Sequence, residues 1–178
     1  MAKMNDIKIR RAWAMPSKNT FGIKPVDNLL HRYISPFHTL VDPFANSYRY
    51  PCLTTITNDI DPQYDTDYHM DATEFLKTLP DKCCNIVLYD PPFSPRQVSE
   101  CYKKFGVSVN METTQASYWS KQKEQIARIV KHNGYVITCG WNSGGIGKKY
   151  GFEIQEILLV AHGGWHNDTI ITVDKKVN

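Results

Sequence analysis

One loop of this chain combines a carboxylate, two prolines and an aromatic ring. A continuous apolar run over residues 86–89 is followed by Asp90, Pro91, Pro92 and Phe93. An unbroken apolar run is typical of a strand buried in a parallel sheet, and neither proline can donate to a sheet ladder. We therefore expect Asp90 and Phe93 just beyond the carboxyl end of a strand, where open α/β sheets bind ligands.

This combination suits the methylation of an exocyclic amine on a nucleobase. The lone pair of such an amine is conjugated with the ring, so two acceptors for its protons would favour a tetrahedral, nucleophilic nitrogen. Asp90 and the Pro91 carbonyl could be those acceptors, while Phe93 could hold a base extruded from its stack. The alternative is a plain strand-terminating turn with a buried ring.

The tetrad from Asp90 to Phe93 resembles motif IV of the amino-methyltransferases, which methylate adenine N6 or cytosine N4 with S-adenosylmethionine. The resemblance implies that Asp90, Pro91, Pro92 and Phe93 are the catalytic residues and that Asp90 also borders the cofactor. The leading Asp implies adenine rather than cytosine.

A second segment, Asp42-Pro43-Phe44-Ala45-Asn46-Ser47, follows a short predicted strand. It resembles motif I of the same enzymes, whose turn holds the methionine part of the cofactor. Asn46 stands at a glycine position of that motif, and asparagine tolerates left-handed backbone geometry better than most residues. Tyr48 follows where a small residue is usual, and we expect it to crowd the cofactor pocket.

Three further segments fit the same family in the expected order. The resemblance assigns Asp59 and Ile60 to the cofactor, with Asp61 as the alternative acid for the ribose hydroxyls. It assigns Asp71 and Ala72 to the adenine amine, although Asp71 also suits a helix N-cap. It likens residues 20–25, with Phe21 and Ile23, to motif X beside the methionine end, and core packing is the alternative for these two side chains.

The remaining pattern predicts an α/β fold. We expect a three-layer, Rossmann-like class I methyltransferase fold, with a mostly parallel sheet and a C-terminal antiparallel hairpin. Residues 1–19 are predicted to form an arm and residues 94–110 a substrate-facing loop. Asn133-Gly134 is predicted to cap a helix. The predicted helices cover residues 21–34, 71–79 and 111–131, and the other strands residues 39–41, 53–57, 135–139, 154–161 and 169–173.

Composition restricts the class of protein. The chain has 178 residues, 42% of them hydrophobic, a net charge of +3 and five cysteines without a Cys-x-x-Cys pair. We expect one catalytic domain over residues 1–178 in a reducing, cytoplasmic setting, with no disulfide, metal or membrane span. Mildly basic charge permits nucleic acid binding without requiring it.

DNA is the expected partner, by analogy with the family. Arg96, Lys103 and Lys104 could contact phosphates, or could simply be solvated. No stretch is large enough for a separate target-recognition domain, so we expect relaxed specificity, a short site, or help from a second copy or a partner subunit. Two other functions stay open: an RNA or protein amine methyltransferase, and a binding subunit that has lost tight cofactor binding.

Two later segments carry weaker signals. Residues 140–145, Gly-Trp-Asn-Ser-Gly-Gly, follow a predicted strand and could line the substrate side, or could form a flexible glycine turn. His162 and His166 bracket the predicted hairpin turn, but further metal ligands at suitable spacing are lacking.

Overall fold

The chain folds around a seven-stranded mixed sheet. The computed structural model describes residues 6–105 and 116–178. The strands follow the order β1-β6-β7-β5-β4-β2-β3, in which β7 runs antiparallel to both of its neighbours and all other pairs are parallel. Their bounds are β1 Lys8–Trp13, β2 Thr39–Asp42, β3 Thr54–Thr57, β4 Cys84–Tyr89, β5 Val130–Gly140, β6 Phe152–Ala161 and β7 Thr169–Lys176.

Helices cover both faces of this sheet. The helix bounds are α1 Lys24–Tyr33, α2 Ala72–Thr78, α3 Pro95–Lys104 and α4 Ala116–Ile129, with 3-10 turns at Thr20–Gly22 and Lys148–Tyr150. Val26, Leu29 and Leu30 of α1 pack against one face, and residues of α2 and α4 pack against the other. The expected three-layer α/β fold, with its mostly parallel sheet and C-terminal hairpin, is therefore confirmed.

The prediction of an N-terminal arm was wrong over Lys8–Trp13. These residues form β1, which pairs in parallel with β6 at the edge of the sheet. Most side chains of β1 are exposed, so its sequence lacks the apolar alternation that marks a half-buried strand. Glu156 is 1% exposed and binds Arg10 of β1 together with Arg32 and Tyr33 of α1, which fixes both elements to β6.

The prediction of a loop over residues 94–110 was also wrong in part. Residues 95–104 form α3, and residues 106–110 lie outside the described part of the chain. Val98 of α3 is fully buried and packs in a small cluster with Tyr118. Most of the other α3 side chains whose burial is described are polar, so the segment has no clear apolar period that would reveal a helix in the sequence. The predicted start of the next helix, residues 111–115, likewise lies outside the described residues.

Asn133-Gly134 does not cap a helix as predicted. The helix α4 ends at Ile129, and the dipeptide lies inside β5, where the register with β4 shifts. Asn133 takes a left-handed φ of 63°. A Cβ at Gly134 would lie 2.7 Å from the Asn85 carbonyl oxygen, so the close approach of β4 requires glycine.

Within the described ranges, no helix is both long enough and apolar enough to cross a membrane.

Candidate functional site

Loops that follow the parallel strands form a cavity at the carboxyl edge of the sheet. This first cavity has a volume of about 340 Å³. It is lined by residues of the loops after β2, β3 and β4 and by the start of α2, among them Phe44, Asn46, Asp59, Ile60, Met70, Asp71, Ala72, Asp90, Pro91, Pro92 and Phe93. Most of the predicted site residues therefore share one cavity.

Asp59 holds the wall of the first cavity through both of its carboxylate oxygens. Its Oδ2 accepts the backbone N–H of Asn46 at 2.9 Å, and its Oδ1 accepts that of Asp61 at 2.9 Å. Burial raises the pKa of Asp59, and these two donors oppose the rise. Asp61 does not line the cavity, because its carboxylate pairs with Lys104 at 2.9 Å. Of the two acids weighed in the sequence, only Asp59 faces the cavity.

Asp71 both caps a helix and faces the first cavity. Its side chain accepts the N–H groups of Thr73 at 2.8 Å and Glu74 at 3.2 Å, which makes it the N-cap of α2. The two alternatives for this residue are thus compatible in the structure.

Asn58, which the sequence reasoning passed over, connects three parts of the cavity wall. Its amide nitrogen donates to the carbonyls of Pro43 at 3.1 Å and Met70 at 3.0 Å. Its amide oxygen accepts the N–H of Met70 at 3.1 Å. The side chain is buried, so it fixes the loops after β2 and β3 to the start of α2.

Four residues assigned to the cofactor lie beneath the cavity wall instead of on it. Phe21 and Ile23 are buried in the core beside α1, which is the alternative that the sequence left open for them. Ala45 and Asp42 are also buried and do not line the cavity. Thr20, one residue before Phe21, is the part of that segment that reaches it.

Asp42 shapes the turn after β2 from below. Its Oδ1 accepts the Phe44 N–H at 3.0 Å. Burial raises the pKa of Asp42 to about 8, the Phe44 N–H opposes this, and the nearby Asp90 carboxylate adds to the rise. At neutral pH, Asp42 therefore favours its uncharged form and adds little negative charge beside Asp90.

Tyr48 does not crowd the cavity, contrary to expectation. Its ring packs on Phe21, with 6.0 Å between ring centroids, and is absent from the lining. Asn46 takes a left-handed φ of 36°, as its substitution for glycine requires, and its side chain accepts the Tyr48 N–H at 3.1 Å. The turn after β2 keeps its geometry without glycine, and it turns the tyrosine away.

Asp90 lies at the end of β4 and lines the first cavity. Burial raises the pKa of Asp90 to about 6, and a hydrogen bond from the Thr20 side chain opposes the rise. The carboxylate is therefore the main form at neutral pH. Asp90 is thus a partly buried acceptor fixed at the junction of the sheet and the cavity.

Helices α3 and α4 hold the Asp-Pro-Pro-Phe loop in place. Gln97 accepts the Phe93 N–H at 2.7 Å, and the Trp119 indole donates to the Pro92 carbonyl at 3.0 Å. Among the described residues, no donor contacts the Pro91 carbonyl, which leaves its lone pairs open to a ligand. Sequence reasoning missed these two supports, because Gln97 and Trp119 belong to helices that follow the loop.

A second cavity of about 360 Å³ lies on the other side of this loop. Pro91 and Phe93 line both cavities and so form a shared wall. The second cavity is otherwise aromatic and basic, with Tyr89, Trp119, Trp141 and Tyr150 among its lining rings and Lys123 and Lys149 as its cations. The ring centroids of Phe93 and Trp141 lie 5.5 Å apart.

The glycine-rich loop after β5 lines the second cavity. Of the two alternatives given for residues 140–145, this position fits the one in which the segment lines the substrate side. Asp174 of β7 is fully buried, and its Oδ1 accepts the Ile146 N–H at 3.3 Å. Lys123 of α4 donates to the Gly145 carbonyl at 2.5 Å. Gly145 has a φ of +54°, and a Cβ there would clash with the Asp174 carboxylate. The loop is therefore anchored from two elements and needs glycine.

The basic residues proposed for phosphate contact lie on one face of α3. Arg96 pairs with Glu100 at 2.8 Å, Lys104 pairs with Asp61, and Lys103 is exposed. At the hairpin turn, the two ring nitrogens of His162 contact the Ala14 carbonyl and the Thr169 hydroxyl, each at 2.8 Å. Within residues 6–105 and 116–178, no group of three His, Cys, Asp or Glu side chains is placed to hold a metal ion.

Solved structures share this architecture. One is a Burkholderia thailandensis 1,6-didemethyltoxoflavin-N1-methyltransferase with bound 1,6-didemethyltoxoflavin and S-adenosylhomocysteine, at 9% identity and a TM-score of 0.60, covering 87% of this chain and 78% of that chain. Another is TrmN from Thermus thermophilus, at 15% identity and a TM-score of 0.58, covering 87% and 49%.

A third is a SAM-dependent methyltransferase from Archaeoglobus fulgidus, at 15% identity and a TM-score of 0.54, covering 86% and 94%. No family model and no curated protein sequence matches the chain. At these identities the likeness concerns architecture, and the chain has the α/β fold of class I methyltransferases.

Proposed function

We propose that this chain transfers a methyl group from S-adenosylmethionine to an exocyclic amine of DNA, namely adenine N6. The observation that carries the proposal is the shared wall: Pro91 and Phe93 of the Asp90–Phe93 tetrad line both cavities. A group held in one cavity and an acceptor held in the other would meet at this wall.

The first cavity fits the cofactor by its chemistry. Asp59 suits the ribose hydroxyls, because a carboxylate after a strand can accept both of them. Asp71 and Ala72 with the apolar side chains of Ile60 and Met70 suit a purine and its amine. Thr20, whose side chain donates to Asp90, lines the cavity beside that carboxylate, and Asn46 lines it beside Asp59. When bound, the cofactor would supply a sulfonium methyl group.

The chain's own residues would position and activate the amine. The Asp90 carboxylate and the Pro91 carbonyl would each accept one hydrogen bond from the amine, which draws the nitrogen lone pair out of conjugation. The nitrogen would bond to the methyl carbon as the carbon–sulfur bond breaks, with S-adenosylhomocysteine as the leaving group, and the positively charged amine would then release one proton to water. Phe93 and Trp141 would hold the base by ring contact, so that proximity and orientation supply most of the rate.

Adenine in DNA is the acceptor that the tetrad favours by resemblance, and the basic face of α3 supports a nucleic acid. A phosphate at Arg96 or Lys104 would compete with Glu100 or Asp61, whereas Lys103 is exposed. A second copy or a partner subunit would supply sequence recognition. The binding-only alternative loses its main support, since Tyr48 points away from the first cavity. An RNA or protein amine is the remaining alternative acceptor.

The test supplies S-adenosylmethionine with a labelled methyl group and unmethylated DNA, RNA or protein to the purified chain. Mass analysis of digested DNA should find N6-methyladenine with the wild-type chain and none with Asp90→Asn. If the label entered only RNA or only protein, that molecule would be the acceptor in place of DNA. Absence of label, together with no thermal stabilisation by the cofactor, would refute the methyltransferase proposal.

A further inference from the structure

The four tryptophans of the chain all lie at the carboxyl edge of the sheet. Trp119 contacts the Asp90–Phe93 loop, Trp13 ends β1, Trp141 directly follows β5, and Trp165 lies in the β6–β7 turn. Trp13 is 65% exposed, Trp141 46%, and Trp165 fully exposed. Exposed tryptophans clustered at one edge are typical of an interaction surface. We call Trp13, Trp141 and Trp165 the tryptophan edge.

The tryptophan edge is continuous with the second cavity. Trp141 packs on Phe93 of the shared wall, and Gly140 pairs with Ile170 at the start of β7, directly after the turn that carries Trp165. That turn meets β1, because a Cβ at Gly163 would lie 3.4 Å from the Trp13 indole nitrogen. From β4 to β1 the sheet takes four strand steps, or about 19 Å.

Basic residues accompany the exposed rings. Residues 6–18 carry Lys8, Arg10, Arg11 and Lys18 against one acid, Asp6, and of these cations Arg10 is paired with Glu156 at 3.1 Å. The loop between β5 and β6 carries Lys148 and Lys149 and no acid. Aromatic rings interleaved with cations match a single nucleic acid strand, whose bases stack and whose phosphates are negative.

We propose that the tryptophan edge binds single-stranded nucleic acid next to the target nucleotide. The inference rests on the proposed function, because it takes the second cavity as the acceptor site. Strands with unpaired bases would then be preferred over a closed duplex, since stacking on Trp13 or Trp165 needs a base outside its own helix. Each ring would contribute to binding without reading the base sequence.

Binding of a fluorescent single-stranded oligonucleotide of about 12 nucleotides, and of its duplex, tests the inference. We expect Trp165→Ala to raise the Kd for the single strand by about 10-fold, and Trp13→Ala to do the same. Trp165 is fully exposed, so its replacement leaves the fold intact. Phe37→Ala is the matched control, because Phe37 is 83% exposed but precedes β2 at the opposite edge.

The outcomes separate the two proposals. Equal affinity in wild type, Trp165→Ala and Trp13→Ala, or tighter binding of the duplex, would overturn the tryptophan edge even if labelled methyl groups enter DNA. Tryptophan-dependent binding without methyl transfer would support the edge and contradict the proposed activity. Loss of affinity in Phe37→Ala as large as in Trp165→Ala would show non-specific binding and also overturn the inference.

Discussion

The two cavities are built by different means. The first is shaped by carboxylates that hold backbone N–H groups: Asp59 holds those of Asn46 and Asp61, and Asp71 holds the start of α2. The second is shaped by aromatic rings and by a glycine-rich loop that Asp174 and Lys123 anchor. The first is thus fixed by hydrogen bonds among the loops after β2 and β3 and the start of α2, and the second by side chains from α4 and β7.

This difference indicates how each side can change. The hydrogen bonds of the carboxylates around the first cavity all lie within residues 46–74, so the shape of this cavity depends on one continuous segment of the chain. The second cavity depends on α4, β5 and β7 together, so substitutions in any of them alter its shape. A cofactor cavity of constant shape beside an acceptor cavity of variable shape would let one fold use the same cofactor with different acceptors. Variants that change only one of the two cavities test this interpretation.

The largest expected effect is at the shared wall. Asp90→Asn keeps the shape of the side chain but removes the charge that would accept an amine proton, and we expect methyl transfer to fall by about 100-fold or more. Cofactor-induced thermal stabilisation should persist. Glu153→Gln, an exposed acid on β6, is the control and should keep full activity. Equal activity in both variants would remove Asp90 from the reaction.

The next effect separates Asp59, which lines the first cavity, from its neighbour Asp61, which does not. Asp59→Asn should raise the Kd of S-adenosylmethionine by about 10- to 100-fold, since a charged acceptor of hydrogen bonds is lost. Asp61→Asn should change it little, because Asp61 faces Lys104 and lies outside the lining. Titration calorimetry measures both. A larger loss for Asp61→Asn would mean that the cofactor approaches from the α3 side.

A glycine pair tests the anchor of the second cavity. Gly145→Ala should cost about 2–4 kcal/mol of unfolding free energy, because a left-handed φ is combined with a clash against Asp174. Gly164→Ala, whose φ of +58° is similar but whose Cβ would meet nothing within 4 Å, should cost about 1 kcal/mol. Urea unfolding gives both values, and equal costs would contradict the anchoring role of Asp174.

The smallest expected effect is on pH dependence. Burial raises the pKa of Asp90 to about 6, and in the proposed reaction only the charged form would accept a hydrogen bond from the amine. Single-turnover methyl transfer should therefore be half-maximal near pH 6 and fall as the pH decreases further. Burial also raises the pKa of Asp174 to about 6, so the profile is repeated in Asp174→Asn. If methyl transfer by Asp174→Asn no longer fell below pH 6, the fall would be assigned to Asp174, which anchors the glycine-rich loop, and not to Asp90.

Much of the fold could be predicted from the sequence because its buried strands are unbroken apolar runs. The edge strand β1 and the helix α3 could not, since β1 is mostly exposed and the sequence of α3 is largely polar around Val98. The sequence pattern of Asn133-Gly134 predicted a helix cap, but the dipeptide lies in a bulge of β5, where the Asn85 carbonyl of β4 comes close to Gly134. Such features depend on a neighbour that only the folded chain supplies.

The site shows the same limit. Asp59, Asp71, Asn46 and Asp90 follow or precede regular elements, so their place at one edge could be anticipated. Asn58 and Trp119 could not be recognised, because they bond to segments 12 to 27 residues away along the chain. Gln97 could not be recognised either, because its bond to the Phe93 N–H depends on the helix α3, which was not predicted. The position of the Tyr48 ring could not be predicted either, because the order of residues does not indicate on which side of a turn a side chain lies.

The pairing of β1 with β6 affects the order of events during synthesis. Lys8 pairs with Glu156, so β1 leaves the ribosome about 150 residues before its partner. At about 5–20 residues per second, that interval is about 7–30 s. During this time the strand that ends in Trp13 has no sheet to join. The cations Lys8, Arg10 and Arg11 would then keep nascent chains from associating through this strand.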